Sequence, residues 1–196
     1  LSDEHLPEHV AMEFYWAYAN YEDGMKFTQD MFRYILQKVY GKLQFKVRGF
    51  DIDLSKEWEI VEFGDLIKKE FGDLDIYNDS VEKLSNILKS KGVEVEENMN
   101  RARVVDNMWK IVRKKTAGPI FLTKIPKFLS PLAKSDEKDP NIVERFFPII
   151  GGSELANAFS ELNDPVDQLE RFIEQQKLRE SGDEEAHMLD IDFVEM

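Results

Sequence analysis

Apolar residues change their spacing several times along this chain, from the period of a helix to that of a strand and back, without regular alternation. Helical spacing covers residues 20–40, 65–71, 79–116 and 164–182, and strand-like spacing covers residues 45–63, 120–122 and 145–162. A parallel sheet built from βαβ units would require strands and helices to alternate. The pattern instead predicts an α+β fold in which an antiparallel sheet is flanked by helices.

Polar residues mark where three of these helices should begin. Asn20 is followed three residues later by Asp23, and Asp79 is followed by Glu82, which in both cases matches a capping box. Pro165 stands at the first position of the last helix, where a missing backbone N–H costs nothing.

The remaining segments carry weaker signals. Residues 12–19 are rich in aromatic side chains and predict a buried strand. Residues 130–141 contain two prolines and several charges, which predicts an exposed loop. The acidic residues 183–196 show no pattern of a further element.

Composition excludes several classes of protein. Cysteine is absent, so a disulfide framework or a thiolate metal site is excluded, which fits a reducing compartment. No apolar run approaches the ~20 residues of a membrane span, and the first residues do not match a signal peptide. The net charge of −13 disfavours non-specific nucleic-acid binding. The six basic residues of 101–115 form either a solvated helix face or a contact surface.

Carboxylates and amides interrupt apolar strands at two places. Glu13 and Tyr15 share one face of the first strand, and Asn157, Phe159 and Glu161 share one face of a later strand. Buried carboxylates need partners. A pocket built from these groups would suit an amino cation, held by charge-assisted hydrogen bonds and ring contact. The same carboxylates could instead pair with internal Arg or Lys, or face solvent.

Two stretches resemble the class II lysyl-tRNA synthetases. Residues 12–23, Met-Glu-Phe-Tyr-Trp-Ala-Tyr-Ala-Asn-Tyr-Glu-Asp, resemble the strand and helix start after motif 2 of that family. Residues 157–165, Asn-Ala-Phe-Ser-Glu-Leu-Asn-Asp-Pro, resemble its lysine-pocket strand, and residues 130–134 and 182–186 match landmarks between and after. The likeness runs from the end of motif 2 to just before motif 3.

The resemblance implies an activity and a set of roles. Lysine would be activated by ATP to lysyl-adenylate and transferred to tRNA(Lys) in the cytoplasm. Lysine would be bound by matching residues at both ends of the chain: Glu13, Tyr15, Asn157, Phe159 and Glu161. ATP would be bound by His5, His9 and Glu154, and Glu154 would also bind Mg²⁺. The chain itself offers no separate catalytic residue.

The chain also departs from the family. His9 stands where the family has a Phe that stacks on adenine, and Ser153 stands where a basic residue is usual. Phe147 replaces an acidic Mg²⁺ ligand, which removes that ligand outright. The resemblance places motifs 1, 2 and 3 outside residues 1–196, so we expect this chain alone not to activate lysine.

Two functions remain open at this point. The chain is either a segment of a lysine–tRNA ligase core or a non-catalytic synthetase paralogue or fragment that binds lysine or a partner protein. By resemblance, residues 1–78 form the first part of the catalytic domain, residues 79–117 a helical insertion and residues 118–196 the second part. The full-length protein is expected to be a homodimer without membrane contact.

Overall fold

The structure, a computed structural model, describes residues 7–96, 99–184 and 186–196, which form α-helices and short strands. The helices are α1 (Tyr21–Tyr40), α2 (Phe63–Phe71), α3 (Val81–Ser90), α4 (Arg101–Lys115), α5 (Pro165–Glu180) and α6 (Ile191–Glu195), with a 3-10 helix at Lys127–Leu129. The strands are β1 (Gln44–Val47), β2 (Phe50–Asp53), β3 (Glu59–Glu62), β4 (Ile120–Thr123), β5 (Ile125–Pro126), β6 (Ile142–Val143), β7 (Arg145–Ile150), β8 (Ser153–Glu154) and β9 (Ala158–Phe159). Of the described helices, none is both long and apolar enough to cross a bilayer.

The central sheet has the order β3-β4-β7-β8, and β9 also pairs with β7. The pairs β4–β7, β7–β8 and β7–β9 are antiparallel. The prediction of an α+β fold with an antiparallel sheet is therefore confirmed, with one addition, because β3 and β4 run parallel. A parallel pair needs a long crossover, and α2, α3 and α4 lie in that crossover.

The two faces of the sheet bury two separate apolar clusters. Ile120 and Leu122 of β4 point to one cluster and Phe121 points to the other, as alternation along a strand requires. Helices α2, α3 and α4 cover the first face, where Leu84 and Met108 are fully buried. Helix α1 and the β1–β2 hairpin cover the second. The helices of residues 79–117 thus share one core with the sheet.

The predicted helix starts are mostly confirmed. Asn20 and Asp23 form the expected capping box, in which each side chain accepts a bond from the other's backbone N–H. Asp164 caps α5 with Pro165 in its first turn. Helix α3 differs, because Ser80 rather than Asp79 caps it by accepting from the backbone of Lys83.

Two sequence predictions about other segments are wrong, and a third is only partly right. Residues 130–141 form a loop that is exposed at residues 137, 138, 140 and 141, but Ser130 and Ala133 are only 2% exposed. The acidic tail contains α6, capped by Asp190. Residues 12–19 form neither a strand nor part of the buried core, and Tyr15 is 79% exposed. A strand requires backbone partners, and within the described residues nothing pairs with this segment.

Candidate functional site

Antiparallel pairing of β7 with β9 places Arg145 directly opposite Phe159. The guanidinium carbon of Arg145 lies 4.6 Å from the ring centre of Phe147 and 5.9 Å from that of Phe159. Phe147 lies two residues along the same strand, so it projects from the same face as Arg145. Burial lowers the pKa of Arg145 to about 10, although nearby Glu154 opposes the shift. The side chain therefore stays a cation at neutral pH, held among aromatic rings.

The amide of Asn157 is fixed by this cation. Nε of Arg145 donates to Oδ1 of Asn157 at 2.8 Å. A guanidinium has only donors, so the amide atom that faces it must be the carbonyl oxygen. The Nδ2 group of Asn157 consequently points elsewhere with two N–H donors.

Glu161 follows two residues after the strand β9. Its backbone forms an antiparallel bridge with Ala133. Beside it, the N–H of Lys134 donates to the carbonyl of Ser160 at 2.8 Å. Glu161 is an exposed residue, yet partial desolvation raises the pKa of its carboxyl above its usual value. Within the described residues no side chain neutralises this carboxyl, so it is available to a cation from outside.

The segment of residues 130–135 that carries this bridge is held by Arg171 of α5. Arg171 is 4% exposed, and its Nε and Nη2 donate to the two oxygens of Asp167 at 2.8 and 2.7 Å. Its Nη1 donates to the carbonyl of Ala133 at 2.7 Å, and its Nη2 to Oγ of Ser135 at 2.9 Å. These hydrogen bonds join α5 to the segment against which Glu161 lies.

Glu154 lies in β8 and faces α4. Its Oε1 accepts a bond from Nε1 of Trp109 at 2.5 Å and lies 3.5 Å from Nη1 of Arg113. One carboxylate oxygen is thus already engaged by the helix that packs behind the sheet.

The described donors do not by themselves make a Mg²⁺ site. Mg²⁺ prefers six oxygen ligands, commonly one or two carboxylates with phosphates and waters. Here Glu154 offers a single, partly engaged carboxylate, and Phe147 cannot supply a second. Among residues 7–96, 99–184 and 186–196, no three acidic or histidine side chains are placed so that they could hold a metal ion together. Glu154 as a metal ligand stays a prediction.

The remaining predicted site residues that the structure describes make no hydrogen bond, ion pair or ring contact with this cluster. Glu13 and Tyr15 belong to the exposed segment before α1, and His9 is exposed as well. Phe14 and Trp16 of the same segment place their rings 5.3 and 5.9 Å from Phe27 of α1. His5 lies outside the described residues. The structure therefore brings Asn157, Phe159 and Glu161 onto one edge, and the place of Glu13 and Tyr15 in the lysine site stays a prediction.

Two contributors, Arg145 and Arg171, were not identified from the sequence. Arg145 stands at the start of an apolar strand, where a charged residue usually faces solvent. The signal that could have found it is Phe147, an aromatic residue two positions along on the same face. For Arg171 the signal is Asp167 at helical spacing, beside the apolar Phe172.

Known proteins match the whole chain. The sequence model of the family described as tRNA synthetases class II (D, K and N) matches residues 1–196. The lysine–tRNA ligase of Thermosipho africanus is 47% identical over 99% of this chain, and that of Thermotoga maritima is 44% identical over 99%. The lysine–tRNA ligase of Bacillus cereus is 40% identical over 100% of this chain. The chain spans 38%, 38% and 39% of the length of these three relatives.

Proposed function

The chain belongs to the class II tRNA synthetases of the D, K and N group, and from that premise we propose that it carries the lysine-binding part of a lysine–tRNA ligase. The supporting observation is the polarised edge formed by β9 and the residues after it. A cation and a fixed amide donor lie at one end, a partly desolvated carboxylate lies at the other, and Phe159 lies between them. The relatives that match the chain bear the name lysine–tRNA ligase.

This edge has the polarity that free lysine requires. Lysine carries two ammonium groups, which only donate, and one carboxylate, which only accepts. The Glu161 carboxylate suits the ε-ammonium, and Phe159 suits the aliphatic stem between the charged ends. The α-carboxylate then points toward Arg145. The opposite orientation would place the ε-ammonium beside the guanidinium of Arg145 and the α-carboxylate beside the carboxylate of Glu161. Glu13 and Tyr15 remain proposed lysine ligands by resemblance.

The proposed reaction has two steps. An oxygen of the lysine carboxylate attacks the α-phosphorus of ATP, which forms lysyl-adenylate and releases pyrophosphate. The lysyl group then passes to the 3′ end of tRNA(Lys). In this proposal the described residues bind and orient lysine, which lowers the barrier by positioning. His5, His9 and Glu154 remain proposed contacts to ATP. The full-length protein would act as a cytoplasmic homodimer.

Lysine binding is tested by changing Glu161→Gln in the full-length protein. Glutamine keeps the shape of the side chain but loses the charge-assisted bond to the ε-ammonium. A hydrogen bond to a charged group contributes about 1.5–3 kcal/mol, so calorimetric lysine affinity should fall roughly 10- to 100-fold. Glu170→Gln on the exposed face of α5 is the matched control and should leave affinity unchanged. Equal affinity for Glu161→Gln and wild type would refute the pocket.

The second function, a non-catalytic paralogue or fragment, is favoured by Phe147 and by the engagement of Glu154 with α4. Lysine-dependent exchange of pyrophosphate into ATP distinguishes the two. We expect no exchange from residues 1–196 alone and robust exchange from the full-length ligase. A full-length protein that binds lysine but shows no exchange would establish the non-catalytic reading. Exchange by residues 1–196 alone would contradict the proposed division of the site.

A further inference from the structure

We infer that Arg145, together with Phe147, is a positioning residue that fixes the amide of Asn157 so that its N–H groups face the bound ligand. The inference rests on the proposed lysine site and goes beyond it, since the resemblance assigns Arg145 no role and treats Phe147 only as a lost acid. The geometry of three contacts carries it: Arg145 to Asn157, Arg145 to the two rings, and Arg145 to the segment of residues 129–130.

The first contact determines which way the amide of Asn157 faces. A free asparagine can rotate its amide and present either a donor or an acceptor to a ligand. Nε of Arg145 removes that choice, because its 2.8 Å bond is possible only to Oδ1. Nδ2 then offers only donors, and the one acceptor that lysine carries is its carboxylate. Arg145 therefore turns Asn157 from an ambiguous side chain into a carboxylate-specific donor.

The second and third contacts hold Arg145 itself in place. Its Nη1 donates to the carbonyl of Leu129 at 3.2 Å and to Oγ of Ser130 at 2.7 Å. Ser130 is 2% exposed and its carbonyl accepts from Arg171, so this anchor is buried. The rings of Phe147 and Phe159 cover the guanidinium. A cation over an aromatic ring is stabilised by the ring's charge distribution.

Phe147 thereby acquires a function in this chain. A carboxylate at this position would form an ion pair with Arg145 and compete with Asn157 for its N–H groups. A phenyl ring stabilises the cation without accepting a hydrogen bond. Because Phe147 stands in place of an acidic residue, the N–H groups of Arg145 remain free to donate to Asn157, Leu129 and Ser130.

The test uses the full-length protein and two ligands, L-lysine and 1,5-diaminopentane, which is lysine without its carboxylate. In Asn157→Asp the donor disappears while Arg145 keeps an acceptor to bind, so folding should be retained. We expect lysine affinity, measured by calorimetry, to fall roughly 100-fold or more, since a favourable charged hydrogen bond becomes a repulsion. Affinity for diaminopentane should be unchanged or higher.

Arg145→Lys tests the positioning step itself. The lysine side chain introduced at this position, which is part of the protein and not the ligand, keeps the positive charge of Arg145. It cannot donate to Asn157, Leu129 and Ser130 at once, because it lacks the fork geometry of a guanidinium. We expect lysine affinity to fall about 10-fold and diaminopentane affinity to stay within twofold of wild type. Arg179→Lys is the matched control, because Arg179 also binds backbone carbonyls but lies outside the site. It should alter neither affinity.

The outcomes separate the two proposals. If wild type binds neither ligand, the proposed function fails and the inference fails with it. If wild type binds lysine and both variants lose lysine and diaminopentane equally, Arg145 is merely structural and the inference alone is overturned. If Arg145→Lys binds both ligands as wild type does, the inference is likewise overturned. Selective loss of lysine in both variants supports it.

Discussion

Residues 12–19 and residues 157–162 carry the same kind of sequence pattern, apolar and aromatic side chains interrupted by a single carboxylate, and they have different structures. The later stretch pairs with β7 and with the segment around Ala133. The earlier stretch lies exposed, and in the described part of the chain its ring contacts are with Phe27. The pattern alone therefore does not decide whether such a stretch becomes part of a site.

The difference lies in the backbone partners that each stretch finds. The N–H of Ser160 donates to the carbonyl of Glu144, and the carbonyl of Ser160 accepts from Lys134. The Oγ of Ser160 also accepts from the N–H of Tyr21, which joins the residue after β9 to the first residue of α1. Each bond alone contributes little, but together they fix where Asn157 and Glu161 stand. Aromatic contact without backbone pairing does not fix Glu13 or Tyr15 in this way.

The largest effect should come from Arg171→Met, which removes the link between α5 and residues 130–135. The change leaves the Asp167 carboxylate and the Ala133 carbonyl without their partner. Leaving a buried acceptor without its partner costs about 1–3 kcal/mol. Two acceptors lose their partner here, and the side chain of Asp167 is 30% exposed, so we expect the free energy of unfolding in urea to fall by about 2–4 kcal/mol. Hydrogen exchange at Lys134 and Ser160 should accelerate.

Arg179→Met is the matched control for this variant, because Arg179 lies on the same helix and also binds backbone carbonyls. Its unfolding free energy should change by about 1 kcal/mol or less, the value of an ordinary hydrogen bond. If Arg171→Met leaves exchange at Ser160 as slow as in wild type, the link through α5 is not what distinguishes the two stretches.

Local signals in the sequence predicted the fold well where the structure depends on neighbours in the chain. The capping box of Asn20 and Asp23 is an example, because both partners lie within one helical turn. The parallel pairing of β3 with β4 was missed, since it joins residues on either side of three helices. No pattern within either strand specifies that partner.

The site residues show the same difference between what local sequence spacing can predict and what it cannot. Asn157, Phe159 and Glu161 were identified because they recur at strand spacing within one stretch. Arg145 was missed because its role depends on the pairing of β7 with β9, and the engagement of Glu154 by Trp109 depends on how α4 packs behind the sheet. Contacts across the fold are decided by packing, which the spacing of residues within one segment does not specify.

A smaller effect should appear in the pH dependence of lysine binding. Desolvation raises the pKa of Glu161 in the free protein, whereas a bound ammonium favours the ionised form and lowers it. Between these two pKa values, binding lysine releases a proton, so affinity should rise with pH, by at most about tenfold per pH unit. Above the raised pKa affinity should be flat through neutral pH, where Arg145 keeps its charge.

Calorimetry across this range checks the prediction, with Glu161→Gln as the control that should show no such slope. A wild-type affinity that stays constant through the acidic range would mean that Glu161 does not meet the ammonium. In that case nothing would favour residues 157–162 over residues 12–19 as the stretch that binds the lysine side chain.

The smallest effect should come from Phe27→Leu, which removes the ring that Phe14 and Trp16 contact. Aromatic pairs contribute about 0.5–1.5 kcal/mol beyond buried area, and the exposure of this segment reduces that value, so global stability should fall by less than about 1 kcal/mol. Limited proteolysis within residues 12–19 should nevertheless become several-fold faster, because local opening is governed by local contacts. Tyr34→Leu changes another exposed ring of α1 and should leave cleavage unaltered. Equal cleavage rates in wild type and Phe27→Leu would show that these ring contacts do not hold the segment, and that Glu13 and Tyr15 depend on other partners for their position.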